Sequence, residues 1–247
     1  MPKITSPHNQ RLKEIRKLRM RRRSRERVGM FVAEGEDLLA AADAHGWVAV
    51  ERYVAAGSGL EGVEVEASVL ARASGLASGT RALAVYEERW APAAVGPVCV
   101  YLHGVSDPGN VGTVLRSAEA FGASCVALGP GTADPFGPKA VRASMGAVFG
   151  VPVARVSEIS ALPGQTIALV AGAGSELWLI SETGVPENDK VPENVTVLVG
   201  AERDGLPEAL VAQADHVAHI PIHSQSLNAA MAATVALYEL ARRMPPQ

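Results

Sequence analysis

Between residues 97 and 247 six short segments are apolar almost end to end: PVCVYLHGV, ASCVALG, VPVARV, TIALVAGA, VTVLVG and HVAHIPI. A strand wetted on one face alternates apolar and polar residues, whereas a strand covered on both faces reads as a continuous apolar run. Helical segments separate these runs. NVGTVLRSAEAFG ends at Gly122, KAVRASMGAVFG follows the loop GPGTADPFGPK, and an Ala-rich helix is expected from about Ser226 to Arg243. Strand and helix in alternation predict an α/β domain with a parallel sheet between helical layers. Rhythm alone gives an open, doubly wound sheet, because knotted chains are rare. Aromatics are only 4% of the chain, so valine, leucine and alanine must fill its core.

Three strand ends carry small and polar residues just before a helix, where α/β folds place ligand crevices. One is SDPGNVGTVLRSAEAFGA after Val98 to Leu102. Another is GAERDGLPEAL after Val195 to Val199. The third is Ser224, Ser226 and Asn228 after Val217 to Ile222. Each polar residue there also has a structural reading. Asn110, Ser226 and Asn228 suit helix caps. Arg116 lies in a small, apolar helix and asks for an anionic partner, a carboxylate or a phosphate. Glu119 and Glu202 are the internal candidates. The clustering of Asn110, Arg116, Glu202, Ser226 and Asn228 on one expected sheet edge favours a site. The apolar stripe of the last helix, with Leu227, Ala230, Met231, Thr234, Leu237, Tyr238 and Ala241, reads as core or dimer packing.

Charge divides the chain. The first 27 positions hold eleven of its 23 basic residues and two acids, a net +9, which leaves −12 on the remainder. Such an arm suits a polyanion, and RNA is favoured over a merely solvated helix. Arg11, Lys13, Arg16, Lys17, Arg21, Arg22 and Arg23 are the expected contacts. Ser6 or Asn9 caps the arm's helix, and Leu12, Ile15 and Leu18 give it a narrow apolar edge. Residues 31 to about 90 alternate strand and helix as a small α/β unit. The expected division is 1–90 for RNA binding, 91–96 (WAPAAVGP region, with Gly96 beside Pro97) as linker, and 97–247 for catalysis.

Several chemistries lack their motifs. No GxGxxG follows the first strand of either half, and there is no GxxxxGK[ST], HExxH, CxxC or GxSxG. No metal is expected. Cys99 and Cys125, in apolar segments, read as reduced core residues, with the cytoplasm as compartment. No apolar run is long enough to span a bilayer, so no membrane partner is expected.

DPGNVGTVLRSAEAFGA, LVGAERDGLP and IPIHSQSLNAAMAATVALYE together resemble the three motifs of the SpoU/TrmH branch of the SPOUT RNA methyltransferases, in order across residues 97 to 243. KAVRASMGAVFGVPV resembles the segment between the first two, and the N-terminal region resembles the family's ribosomal-protein-like RNA-binding domain. The resemblance implies a trefoil-knotted α/β domain, S-adenosyl-L-methionine as cofactor, a homodimer, and methyl transfer to a ribose 2′-hydroxyl of RNA, with rRNA favoured over tRNA. It implies cofactor contacts at Gly200, Ile220 and Leu227, with Leu128 and Gly129 nearby. Arg116 matches the catalytic arginine, and Asn110, Glu202, Ser226 and Asn228 match its polar set. The family commonly has a longer, often glycine-containing loop where this chain has Ile222 to Ser226. His223 in that loop has a second reading as a base. A non-catalytic RNA binder and a base methyltransferase are the alternative functions.

Overall fold

The computed structural model describes residues 3–75, 79–179 and 193–243. In chain order the first elements are α1 (Gln10–Met20), α2 (Arg22–Val28), β1 (Met30–Glu34), α3 (Glu36–Ala44), β2 (Glu51–Ala55), β3 (Val63–Val65), α4 (Ala67–Ala73) and β4 (Ala82–Glu87). Next come β5 (Val98–Leu102), α5 (Pro108–Ala120), β6 (Cys125–Leu128), α6 (Pro138–Ser144), α7 (Ala147–Gly150) and β7 (Val153–Arg155). The last are β8 (Gln165–Leu169), β9 (Ser175–Glu176), β10 (Val195–Val199), α8 (Glu208–Val211), β11 (His216–His219) and α9 (Ala229–Arg243). Two compact units result, Met1–Arg89 with Asp134–Gly150, and Trp90–Ala133 with Val151–Gln247.

The first unit is built on a four-stranded sheet in the order β1-β4-β2-β3. Helix α1 buries Leu12, Ile15 and Leu18, and the Asn9 side chain caps it by accepting from the Arg11 N–H at 2.9 Å. The basic run is two helices, since Arg21 is extended between α1 and α2, and Gly29 closes α2 at φ 63°. Arg25 is only 5% exposed. Its Nη2 and Nε donate to Asp134 Oδ2 at 2.6 and 2.9 Å, and its Nη1 to the Leu18 carbonyl at 2.7 Å. Asp134 belongs to the later segment that completes this unit. That segment adds Phe136 and Phe149 to a cluster with Phe31, Trp47 and Tyr86, with ring centroids 4.8 Å apart for Phe31–Phe136 and 5.1 Å for Trp47–Phe149. The single helix expected over KAVRASMGAVFG is two, α6 and α7, because Met145 and Gly146 take positive φ (52° and 104°).

The second unit is a seven-stranded sheet, β7-β6-β5-β10-β8-β11-β9, with every pairing parallel. The fully apolar runs are its buried middle: every residue of β5, β6 and β10 is buried. Cys99 and Cys125 face each other in register as free, buried thiols. From β5 the chain builds β6 and β7 on one side, while β10 and β8 lie on the other. The strand order therefore switches between β5 and β10, where such sheets open a crevice beyond their C-terminal ends. Helix α5 packs on α9, and α9 on β10. Ser117 Oγ and Thr234 Oγ1 meet at 2.6 Å within the α5–α9 contact. The segment expected as a linker lies on this unit, with the Ala91 N–H bonded to the Val153 carbonyl at 2.8 Å and Ala94 buried.

Candidate active site

A cavity of about 330 Å³ opens beyond the ends of β8, β10 and β11. Its walls are Leu169 to Ala171, the turn Gly200 to Leu206, His219 at the end of β11 with Ile220 and Ile222 beyond it, and Ser226, Leu227, Ala229 and Ala232. Gly200, Ile220 and Leu227 are thus brought together, along with Glu202 and Ser226. Leu128 and Gly129 do not line it, and Gly129 instead packs where any side chain would overlap the Tyr101 ring. Asn110, Arg116, Asn228 and His223 are also outside the lining, and His223 is exposed.

Gly200 is required for a reason that the sequence did not show. Residues 201 to 205 form a tight turn, with Ala201 and Gly205 exchanging backbone bonds of 3.0 and 3.2 Å. The returning backbone of Gly205 and Leu206 occupies the space that a Cβ at Gly200 would need. The close approach here is of the chain to itself, and it shapes the turn that carries Glu202 to the cavity.

Asn110 and Asn228 are joined to Glu202 by a directional chain of hydrogen bonds. Asp107, not Asn110, caps α5, accepting from the Gly109 N–H at 2.6 Å, and Asn110 sits in the first turn. The last helix begins at Ala229 rather than Ser226, because Asn228 Oδ1 caps it by accepting from the Ala230 and Met231 N–H groups at 2.9 and 3.3 Å. A cap must present oxygen to helix N–H donors, so the Asn228 amide nitrogen points away. That Nδ2 donates to Asn110 Oδ1 at 3.1 Å, and Asn110 Nδ2 then donates to Glu202 Oε1 at 2.6 Å. Each amide orientation is forced by the one before it, and the chain ends on an acceptor-only carboxylate at the cavity wall.

Arg116 meets neither of its internal carboxylate candidates. It is exposed on α5, and among the described residues neither Glu119 nor Glu202 forms an ion pair with it. It shares an exposed helical edge with Thr113 and Ala120, so water solvates the charge and no internal carboxylate is needed. Its guanidinium is left available to an external anion. Sequence reasoning missed the wall from β8 and also His219, whose Nδ1 is buried without a partner at the cavity. The signal for the wall was the small-residue run VAGAG directly after an apolar strand.

The donor set suits S-adenosyl-L-methionine. Val199, Leu206, Ile220 and Leu227 give apolar walls, the surrounding turns give backbone polar groups, and Glu202 and Asp204, with Arg203 between them, leave a net negative charge beside them. The volume is at the lower end of ligand cavities, which run from roughly 300 to 1,000 Å³. Among the described residues there is no group of three or more His, Cys, Asp or Glu placed to hold a metal. No helix among them is long and apolar enough to cross a membrane.

Residues 9–89 match the MRM3-like substrate binding domain. The 23S rRNA (guanosine(2553)-2′-O)-methyltransferase RlmP of Bacillus subtilis is 28% identical over 257 residues, spanning 97% of this chain and 99% of that protein. The AdoMet-bound rRNA methyltransferase from Sinorhizobium meliloti superposes with a TM-score of 0.86 at 30% identity, covering 99% of each chain. The SpoU methyltransferase AviRb from Streptomyces viridochromogenes, in complex with AdoMet, gives a TM-score of 0.81 at 25% identity, covering 96% of this chain and 98% of that one. Residues 97–238, the strands, turns and helices that build the cavity, match the SpoU rRNA Methylase family, and the chain belongs to it.

Proposed function

We propose that this protein transfers a methyl group from S-adenosyl-L-methionine to a ribose 2′-hydroxyl of structured ribosomal RNA. The carrying observation is the chain from Asn228 through Asn110 to Glu202 at the edge of the cavity. A protein that only bound RNA has no use for an oriented polar chain ending at a small-molecule pocket. The names of the relatives, an rRNA 2′-O-methyltransferase and AdoMet complexes, support the substrate and cofactor. A tRNA substrate is the alternative within the same chemistry. The trefoil knot and a homodimer belong to this proposal. Met231, Val235 and Tyr238, exposed at helical spacing on α9, offer the dimer an apolar stripe.

The cofactor supplies an electrophilic methyl group. Backbone groups of the turns at Gly200, Ile220 and Leu227 hold it, and the protein's further task is to set the hydroxyl in line. The Arg116 guanidinium carries donors only and makes a poor proton acceptor. As an exposed cation it binds the nucleotide's phosphate and steadies negative charge developing on the ribose oxygen. Glu202 is held by Asn110, and Ser226 lines the same wall.

The N-terminal unit captures RNA. Lys13, Arg21 and Arg23 are exposed and have no described carboxylate partner. Arg11 pairs with Glu51 at 2.6 Å, Lys17 with Glu14 at 2.8 Å and Arg22 with Glu26 at 2.7 Å, while Arg16 donates to the Pro7 carbonyl. The free three are therefore the principal phosphate contacts. The reduced cysteines accord with a cytoplasmic setting. The test is Arg116→Ala, with methyl transfer to rRNA and calorimetric cofactor binding measured side by side. Transfer is expected to vanish with cofactor affinity unchanged, and a drop in cofactor affinity contradicts the assigned role.

A further inference from the structure

A second cleft, of about 240 Å³, lies within the N-terminal unit, far in sequence from the methyltransferase motifs. Trp47, Val48, Ala49 and Val50 line it, from the loop that enters β2, together with Glu87 and Arg89 from the end of β4. Val48 is 81% exposed and Val50 52%, although both are branched apolar residues. Behind them the Trp47 indole is fixed. Its Nε1–H donates to the Phe149 carbonyl at 2.8 Å, and its edges pack on Phe31, Tyr86 and Phe149.

The Arg89 guanidinium sits over the Trp47 ring, 4.3 Å from its centroid. A planar guanidinium over an indole has its N–H donors in its own plane, and guanidinium planes are surfaces on which a further ring can stack. Among the described residues those donors have no hydrogen-bond or ion-pair partner, and neither has the exposed Glu87 carboxylate. The cleft thus combines apolar walls, a cation over a fixed indole, free donors and a free double acceptor. Glu87 and Arg89 line it without pairing with each other, and both are available to an edge that offers acceptor and donors side by side.

We propose that this cleft reads an unpaired guanine of the bound RNA. The proposal rests on the RNA-binding reading of this unit. RNA sequence is read mainly from splayed-out bases, which stack on aromatic or guanidinium planes and bond through their Watson–Crick edges. The guanine edge presents O6 as acceptor, then N1–H and N2–H as adjacent donors. Arg89 answers the first and the two oxygens of Glu87 the others. Adenine offers a carboxylate one donor group in place of two, and uracil one N–H.

Anisotropy of labelled single strands with the full-length protein tests this. Each strand is an oligouridine with one central guanosine, inosine or adenosine, and a uridine-only strand serves as reference. Guanosine is expected to raise affinity over adenosine by about fivefold or more, the lower end for a bidentate base contact. Inosine, which lacks the N2 amine, is expected to fall between them. Glu87→Gln, at an exposed position, is expected to abolish the preference while the uridine-only affinity and the melting curve stay unchanged. Equal affinity for the four strands, or a preference that survives Glu87→Gln, overturns the guanine site and leaves RNA binding standing. Absence of binding to every strand likewise overturns the guanine site, and the RNA-binding reading falls only if folded ribosomal RNA in the same assay also fails to bind.

Discussion

Asn228→Asp separates the structural from the chemical use of one side chain. Asparagine and aspartate cap helices about equally well, and a carboxylate at a helix N-terminus gains about 0.3–1 kcal/mol from the helix dipole. The bonds from the Ala230 and Met231 N–H groups therefore persist. The donor to Asn110 Oδ1 does not, and two acceptors are left facing each other across 3.1 Å. If Asn110 turns its amide over to satisfy the new carboxylate, its oxygen meets that of Glu202. One hydrogen bond, about 0.5–1.5 kcal/mol, disappears in either orientation. Cap gain and missing bond nearly cancel, so the melting temperature is expected within about 2–4 °C of the parent, the shift that 1 kcal/mol gives in a chain of this size. Methyl transfer is expected to fall by about a hundredfold, the scale for an ångström of misplacement. Glu202→Gln in the same chain lets the whole sequence of amides reverse, the new glutamine amide donating to Asn110 and Asn110 donating to the new aspartate. A double-mutant cycle read by denaturation is expected to show a favourable coupling of about 1 kcal/mol between the two changes. Strict additivity, or an Asn228→Asp enzyme with full activity, refutes the directional chain.

Asp134→Ala leaves the buried Arg25 guanidinium without its carboxylate, and chemical denaturation is expected to show a destabilisation of about 3–5 kcal/mol, as for other broken buried pairs. Reversing Lys13, Arg21 or Arg23 to glutamate is expected to lower the salt dependence of RNA binding by about 0.7–0.9 log unit per log salt for each phosphate no longer neutralised, whereas Arg11→Glu changes it less because Glu51 already holds Arg11. The Thr166 backbone N–H, helped by its hydroxyl, holds the Asp215 carboxyl below its ordinary value. A depressed carboxyl stabilises the fold above its unfolded value and loses that contribution as pH falls through the folded one. The stability advantage of the parent over Asp215→Asn is therefore expected above about pH 4 and to vanish on further acidification. A constant difference across that range contradicts the Thr166 contact.

The second unit was legible because parallel strands buried on both faces must be apolar throughout, and β5, β6 and β10 are. Segment patterns also located the three turns whose polar residues meet. Their partners were not legible. A small, apolar helix asks for an anion near Arg116, a carboxylate or a phosphate, and the exposed edge that carries it needs no internal one. Gly200 carries a requirement set by Gly205 and Leu206, a contact that no local pattern announces. The segment Asp134–Gly150 continues the strand–helix rhythm of its neighbours yet completes the other unit, through a buried ion pair 109 residues apart in sequence. The helix stop at Met145 was hidden because methionine is a good helix former, and only the Gly146 that follows hints at a break.

Transfer of labelled methyl from S-adenosyl-L-methionine to ribosomal RNA, followed by alkaline hydrolysis, tests the central claim most directly. The label is expected in an alkali-resistant dinucleotide, since a 2′-O-methyl ribose blocks cleavage at its own phosphate. Label released with single nucleotides, as a base methyl would be, contradicts the account.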